Sequence, residues 1–311
     1  MSTTTWRQEY RDSLKSADTE EHIDLAFYRP IGFAWACLFR RLGVTPNAVT
    51  IASIFIGVAA GICFYYTDLW VNVIGMLLLM WANSYDSADG QLARLTKQYS
   101  RLGRILDGVS GDFWFASIYI AICLRSVHTD YFFGAHPWVI WAMAILAGVC
   151  HARQAALADY YRQFHLFFLK GKNGSELDSS APLRRQYEEM TWSGSPFRKL
   201  VAMVYLNYTE GQERQTPGMQ RLRAEIARRW PDGGMPEGFR REFLDLSRPL
   251  CKWENFMTFN WRTIFLFITL FIGQPWIYFA VELTLFNIVM LWTRHRHEQL
   301  CATLLARLNR E

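Results

Sequence analysis

The sequence predicts an all-α polytopic membrane protein. It has six transmembrane helices, interfacial helices beside them, and a mostly helical cytosolic insertion between helices four and five. Three observations predict this. Apolar stretches recur at 47–66, 71–88, 105–124, 136–156, 256–271 and 276–293, near the 20 or so residues that a helix needs to cross a bilayer core. The connections between them alternate between charge-poor and basic. Residues 166–253 then interrupt the apolar pattern with glycine, proline and charge. Over the 311 residues, 51% hydrophobic and 16% aromatic content coexists with 20% charged residues, as expected of apolar and polar segments laid end to end.

Residues 1–45 are read as a cytosolic N-terminal segment. It begins with polar and charged residues and lacks the apolar core of a secretory signal. Within it, "PIGFAWACLFRRLG" (30–43) has Pro30 at a first helical position and aromatics ahead of a basic end. That pattern fits a helix lying on the membrane surface. Residues 46–165 carry helices one to four. The links "TDLW" and "IGQP" hold no Lys or Arg, and the link between helices three and four has only Arg125. The basic residues fall elsewhere: Arg7, Arg11, Lys15, Arg29, Arg40 and Arg41 before the first span, Arg94, Lys97, Arg101 and Arg104 after the second, and Arg294, Arg296, Arg307 and Arg310 in the tail. The positive-inside rule puts both termini in the cytosol with an even number of spans.

Residues 166–253, with "GKNGSELDSSAP", "SGSP", "PDGGMPEG" and the helical pattern "MQRLRAEIARRW", form the insertion. It reads either as a lid, gate or dimer contact, or as a solvated cap without chemistry. Residues 254–311 carry helices five and six and a C-terminal helix that lies on the membrane or packs on a partner. The net charge of +5 suits an anionic membrane face, and nucleic acid is not an expected partner. Cys37, Cys63, Cys123, Cys150, Cys251 and Cys301 show no metal or redox spacing and read as small buried hydrophobes.

The chemistry concentrates in "DSADGQLARLTKQYSRLGRILDGVSGD", residues 86–112, whose four acids are all aspartates. Asp86 and Asp89 project ~60° apart on a helix. A turn at 95–101 brings Asp107 back to their depth. Ionised carboxylates this close repel unless a cation sits between them. Oxygen-only ligands favour hard cations, here Mg²⁺ or Mn²⁺. The plainer alternative is a salt-bridge network with Arg94, Arg101 and Arg104. Gly90, Ala93, Gly103 and Gly108 interleave the acids and leave room for a bulky phosphorylated ligand, and Arg94 is placed to clamp a phosphate oxygen. Together these features point to phosphoryl transfer at a membrane surface. A transporter using intramembrane acids is a competing class, although no internal repeat or pair of broken helices accompanies them. A scaffold built on the insertion is another.

The pattern resembles the signature of the CDP-alcohol phosphotransferases, integral membrane enzymes of phospholipid synthesis, D-x2-D-G-x2-A-R-x8-G-x3-D-x3-D. Asp86, Asp89, Gly90, Ala93, Arg94, Gly103 and Asp107 fall in place. "TPNAVT" (45–50) is similar to the family's entry into its first span. The resemblance implies that Asp86, Asp89, Asp107 and the last acid hold two divalent ions, which grip the diphosphate of a CDP-alcohol. It also implies that Gly90, Ala93, Arg94 and Gly103 bind that substrate, that the last acid is the general base, and that the protein is a homodimer. The departure is at the end, where family spacing falls on Gly111 and the acid is Asp112. On a regular helix Gly111 lies ~40° around from Asp107 and Asp112 ~140°. A π-type turn between Asp107 and Asp112, flanked by Gly108 and Gly111, is the expected remedy. It makes Asp112 the fourth metal ligand and the catalytic base; otherwise Asp112 points away and another group serves.

Asn255, Thr258 and Arg262 form a polar stripe on the fifth span. His151, Gln154 and Arg162 recur on the inner end of the fourth, with Arg153 beside them. His151, Arg153 and Arg262 are candidate acceptor or phosphate contacts, with snorkelling or core packing as the alternative. They favour a phosphorylated polar acceptor. The expected reaction is phosphatidyl transfer from CDP-diacylglycerol to a small polar alcohol, inositol phosphate or inositol, with release of CMP at the cytosolic face. Transfer from CDP-choline or CDP-ethanolamine to a lipid alcohol is the alternative within the resemblance.

Overall fold

The computed structural model describes residues 3–14, 19–99, 101–171, 175, 177–194, 196–231 and 234–310, with backbone alone at 3–5, 101, 102, 104 and 105. Parts of the three insertion stretches quoted above (172–174, 176, 195, 232 and 233) lie outside the described residues. Every regular element among the described residues is helical. In chain order these are α1 (Thr3–Ser13), α2 (Arg29–Leu42), α3 (Pro46–Cys63), α4 (Leu69–Thr96), α5 (Arg101–Thr129), α6 (Tyr131–Ala135) and α7 (Pro137–Lys170). They continue with α8 (Ser180–Glu189), α9 (Pro196–Gln215), α10 (Pro217–Arg229), α11 (Glu237–Phe256), α12 (Phe259–Phe271), α13 (Ile277–Val281) and α14 (Asn287–Leu308). Single π-helical turns at Asp24–Tyr28 and Glu282–Phe286 lead into α2 and α14.

The chain divides into two compact units. One comprises Met1–Gly148 and Arg262–Val281, the other Val149–Trp261 and Glu282–Glu311. In the first, α3 packs on α4 and α5, and α2 packs on α4. Local sequence sets the helix ends. Thr45 caps α3 by accepting the Ala48 amide ahead of Pro46, and Asp68 caps α4 by accepting the Val71 amide at 3.0 Å. Gly43 closes α2 in the left-handed region, φ 70°, where a side chain is disfavoured.

The α3–α5 contact depends on small residues every fourth position, Ser53, Gly57 and Gly61. Trp114 lies flat against Gly57 and donates its indole N–H to the Ser53 carbonyl at 3.0 Å. Ser117 fills the notch at Gly61 and donates to the Val58 carbonyl at 3.0 Å. In a lipid setting close backbone approach of this kind, with hydrogen bonds between helices, is what holds helices together. At the far end of the same helices, buried Arg125 donates to the Phe64 and Tyr66 carbonyls and to Asn72 Oδ1. The lone basic residue of that link thus ties down the α3–α4 connection.

Among the described residues, four helical stretches can cross a membrane by length and composition: Pro46–Cys63, Leu106–Thr129, Pro137–Lys170 and Ile277–Leu308. The second expected span lies in α4, which is 28 residues long but diluted by Asn72, Asn83, Ser84 and the acids. The fifth falls on α12, whose 13 residues reach only ~20 Å.

The second unit has its own core. Tyr160, Phe164 and Phe168 of α7, Leu222 and Ile226 of α10, Phe239 and Phe243 of α11, and Leu300 and Leu304 of α14 pack together. Phe168 and Phe243 stack with ring centroids 3.7 Å apart. Polar pairs are buried within the unit. His297 bonds Glu254 at 2.6 Å and stacks on Tyr161, and His165 bonds Ser247 at 2.8 Å. Helices α10 and α11 of the insertion therefore share one apolar core with the ends of α7 and α14.

Candidate active site

α4 carries Asp86 and Asp89, and α5 returns Asp107 to meet them. One carboxylate oxygen from each lies within 4.8 Å of the other two. Asp89 is buried, Asp86 half-buried and Asp107 exposed. The carboxylates are held from a third helix and from within. The Thr50 hydroxyl of α3 donates to Asp89 Oδ2. The Ser110 hydroxyl lies 2.8 Å from both Asp86 Oδ1 and the Asp107 carbonyl, and donates to one of them at a time. Two unit charges at this separation repel by about 3 kcal/mol at the effective dielectric of a protein surface. Three anions fixed by packing and hydrogen bonds fit a hard cation with oxygen ligands. The donor set thus suits a hard divalent cation.

The space beside the acids is open. A Cβ on Gly90 would meet only the Arg94 guanidinium, 3.5 Å away, and a Cβ on Gly108 or Gly111 would meet nothing within 4 Å. Ala93 and Gly103 are half-buried nearby in sequence. Arg94 donates its Nε–H to the Ser13 carbonyl of α1, so the N-terminal segment reaches the C-terminal end of α4. Gln91 strengthens that contact, donating toward Ser13 Oγ and the Arg29 carbonyl, each at 3.2 Å. Of the arginines in the alternative salt-bridge network, Arg94 is held by Ser13. The side chains of Arg101 and Arg104 lie outside the described residues.

Residues 43–166 match the family described as CDP-alcohol phosphatidyltransferase. This segment is a CDP-alcohol phosphatidyltransferase domain. The chain is also 28% identical, over 102 residues, to the CDP-diacylglycerol--glycerol-3-phosphate 3-phosphatidyltransferase of Cereibacter sphaeroides. The match covers 32% of this chain and 43% of that protein, so the chain spans less than half the length of that curated relative. No solved structure matches.

All three clustered acids, together with Thr50 and Ser110, lie inside the phosphatidyltransferase domain. Thr50 and Ser110 were not singled out from sequence as supports for the acids. The signal for Thr50 was present in "TPNAVT", where it follows Pro46 by one helical turn. Asp112 differs from expectation. α5 is α-helical from Arg101 to Thr129 without a π-turn. Asp112 is exposed on it, ~140° around from Asp107, and is not part of the acid group. No neighbour presses on Gly108 or Gly111, so nothing drives the helix to widen there. The π-turns form instead at Asp24–Tyr28 and Glu282–Phe286.

The fifth-span stripe is also corrected. α11 ends at Phe256 and α12 starts at Phe259, so Asn255, Thr258 and Arg262 do not share one helix face. Arg262 is buried on α12 in the first unit, 1% exposed. His151 and Arg153 belong to the second unit. There His151 Nδ1 lies 3.7 Å from the buried Glu282 carboxylate, Gln154 donates to Asn287 Oδ1 at 2.9 Å, and Arg153 is exposed.

Proposed function

We propose that the chain transfers a phosphatidyl group from CDP-diacylglycerol to a small polyol phosphate, inositol phosphate or glycerol phosphate, and releases CMP. The observation that carries this is the convergence of Asp86, Asp89 and Asp107 inside a CDP-alcohol phosphatidyltransferase domain. The Cereibacter sphaeroides relative, whose name gives glycerol 3-phosphate as acceptor, supports a phosphorylated one.

Asp86, Asp89 and Asp107 would hold a pair of Mg²⁺ or Mn²⁺ ions, which when bound offset the charge of a diphosphate. The Thr50 and Ser110 hydroxyls fix the orientation of Asp89 and Asp86. The missing side chain at Gly90, with the small Ala93 and Gly103, admits the nucleotide, and Arg94 contacts a phosphate oxygen. The acceptor oxygen attacks the β-phosphorus and the bond to the CMP oxygen breaks. In this reading the chain is a six-span protein of phospholipid synthesis with both termini and the site at the cytosolic face, a placement that the loop charges support.

The test is CMP release by the purified protein in lipid with CDP-diacylglycerol and a panel of inositol, inositol phosphate, glycerol 3-phosphate and serine, beside CDP-choline with diacylglycerol. A phosphorylated polyol is expected to react about tenfold or more faster than its free alcohol, the scale of one charge-assisted contact. Turnover with CDP-choline alone, or none with any donor, would refute the assignment.

A further inference from the structure

A guanidinium grips a phosphate through parallel N–H groups along one edge of its planar fork, so its orientation decides whether it binds. α4 places such a group beside the acids. Asp86, Gly90 and Arg94 recur every fourth residue and share one face of the helix, and helical side chains lean toward the N-terminal turn. Arg94 therefore lies back over Gly90 in the direction of Asp86. A Cβ on Gly90 would stand 3.5 Å from both Nη1 and Nη2, so the terminal edge of the fork covers the glycine. A flexible guanidinium at this place would be drawn to the carboxylates themselves.

The N-terminal segment supplies an anchor on the other side. Ser13 ends α1, where the last carbonyls of a helix lack an intrahelical partner. Arg94 donates its Nε–H to that carbonyl oxygen. The bond uses Nε and leaves the Nη1–Nη2 edge for a ligand. α1 is itself seated by contacts that do not involve Arg94. The rings of Trp6 and Tyr10 meet Phe33 of α2 edge-on, with centroids 5.1 and 5.3 Å apart. Arg40 of α2 pairs with Glu9 at 3.1 Å. Gln91 of α4 donates toward Ser13 Oγ at 3.2 Å, and Ser13 is fully buried. The place of the Ser13 carbonyl is thus set by α2 and α4 independently of Arg94.

We propose that the Ser13 carbonyl of α1 positions Arg94, holding the guanidinium off the acids with its terminal nitrogens turned to the diphosphate of the donor. This rests on the transferase reading above. Arg94 contacts the phosphate, and α1 acts through it.

The test is a double-mutant cycle. Trp6→Ala with Tyr10→Ala removes the rings that seat α1. Arg94→Lys keeps the charge and removes both the Nε–H and the fork. Wild type, each variant and their combination are compared for equilibrium binding of CDP-diacylglycerol in lipid with Mg²⁺, for kcat of CMP release and for melting temperature. Unseating α1 is expected to weaken donor binding about tenfold, the scale of one charge-assisted contact, with a smaller effect on kcat. In the Arg94→Lys background the same unseating should change binding by no more than about twofold. A merely structural α1 would give equal losses in both backgrounds, because a weakened fold does not depend on the residue at 94. Equal losses overturn the proposal, as does unchanged or tighter binding when α1 is unseated with Arg94 in place. If Trp6→Ala with Tyr10→Ala does not fold, Tyr10→Ala alone passes through the same cycle and decides by the same comparison. A wild type that neither binds CDP-diacylglycerol nor releases CMP sinks the transferase reading itself.

Discussion

Replacing Asp89 or Asp107 by asparagine abolishes CMP release, with an expected fall of about 10³-fold or more. Asparagine keeps the shape of the side chain but removes its charge and one ligand oxygen. At Asp89 the remaining carbonyl oxygen still accepts from Thr50, so the α3–α4 contact survives. Removing one of three mutually repelling carboxylates leaves stability unchanged or raises it. A thermal melt in detergent beside the CMP assay separates the two effects: activity is lost while the melting temperature holds. Turnover within tenfold of wild type in both variants would contradict the role given to the cluster.

Gly57→Leu prevents folding of the first unit. A Cβ at this position would stand 2.1 Å from Trp114 Cδ1, inside the van der Waals surface of one of the largest fully buried side chains. Trp114 has no retreat without breaking its bond to the Ser53 carbonyl. Overpacking of a dense interior costs about 1–3 kcal/mol even where neighbours can shift. Here the indole must leave and α3 must separate from α5, so the loss exceeds that range. Because α3 carries Thr50 and α5 carries Asp107, donor binding is lost with the fold. Gly57→Ala is expected to melt early but retain some binding. As a comparison, Gly211→Ala on α9, with no atom within 4 Å of the new Cβ, should be neutral or gain about 0.5–1 kcal/mol of stability. Both are read by yield and melting temperature; a Gly57→Leu protein that melts like wild type would contradict the packing described.

Much of this architecture is legible in the sequence because the signals are local. Apolar runs and loop charge locate the helices. The spacing of Asp86, Asp89 and Asp107 around a short turn places three carboxylates at one depth, since α4 and α5 are both regular there. What the sequence hides depends on contacts between distant segments. The sequence does not show that Arg94 also holds α1, through its Nε–H to the Ser13 carbonyl. Residues 254–271 look like one apolar helix, yet the chain breaks at 257–258, where α11 turns its apolar side to the core shared with α7 and α14. Asp112 invites a bulge on the strength of spacing alone. Without a neighbour to force it, α5 keeps its regular hydrogen bonds. The π-turn Asp24–Tyr28 has no local signature, and Arg29, which follows it, is held on α4 by Ser87 and Gln91.

The most direct measurement is equilibrium binding of CDP-diacylglycerol to the purified protein in lipid, with Mg²⁺ or Mn²⁺ present and after chelation. Binding that requires the cation, returns on adding it back, and is absent in Asp89→Asn is the predicted result. Binding of equal strength without any divalent ion, or in Asp89→Asn, would contradict a site in which carboxylates from α4 and α5 hold the donor through a cation.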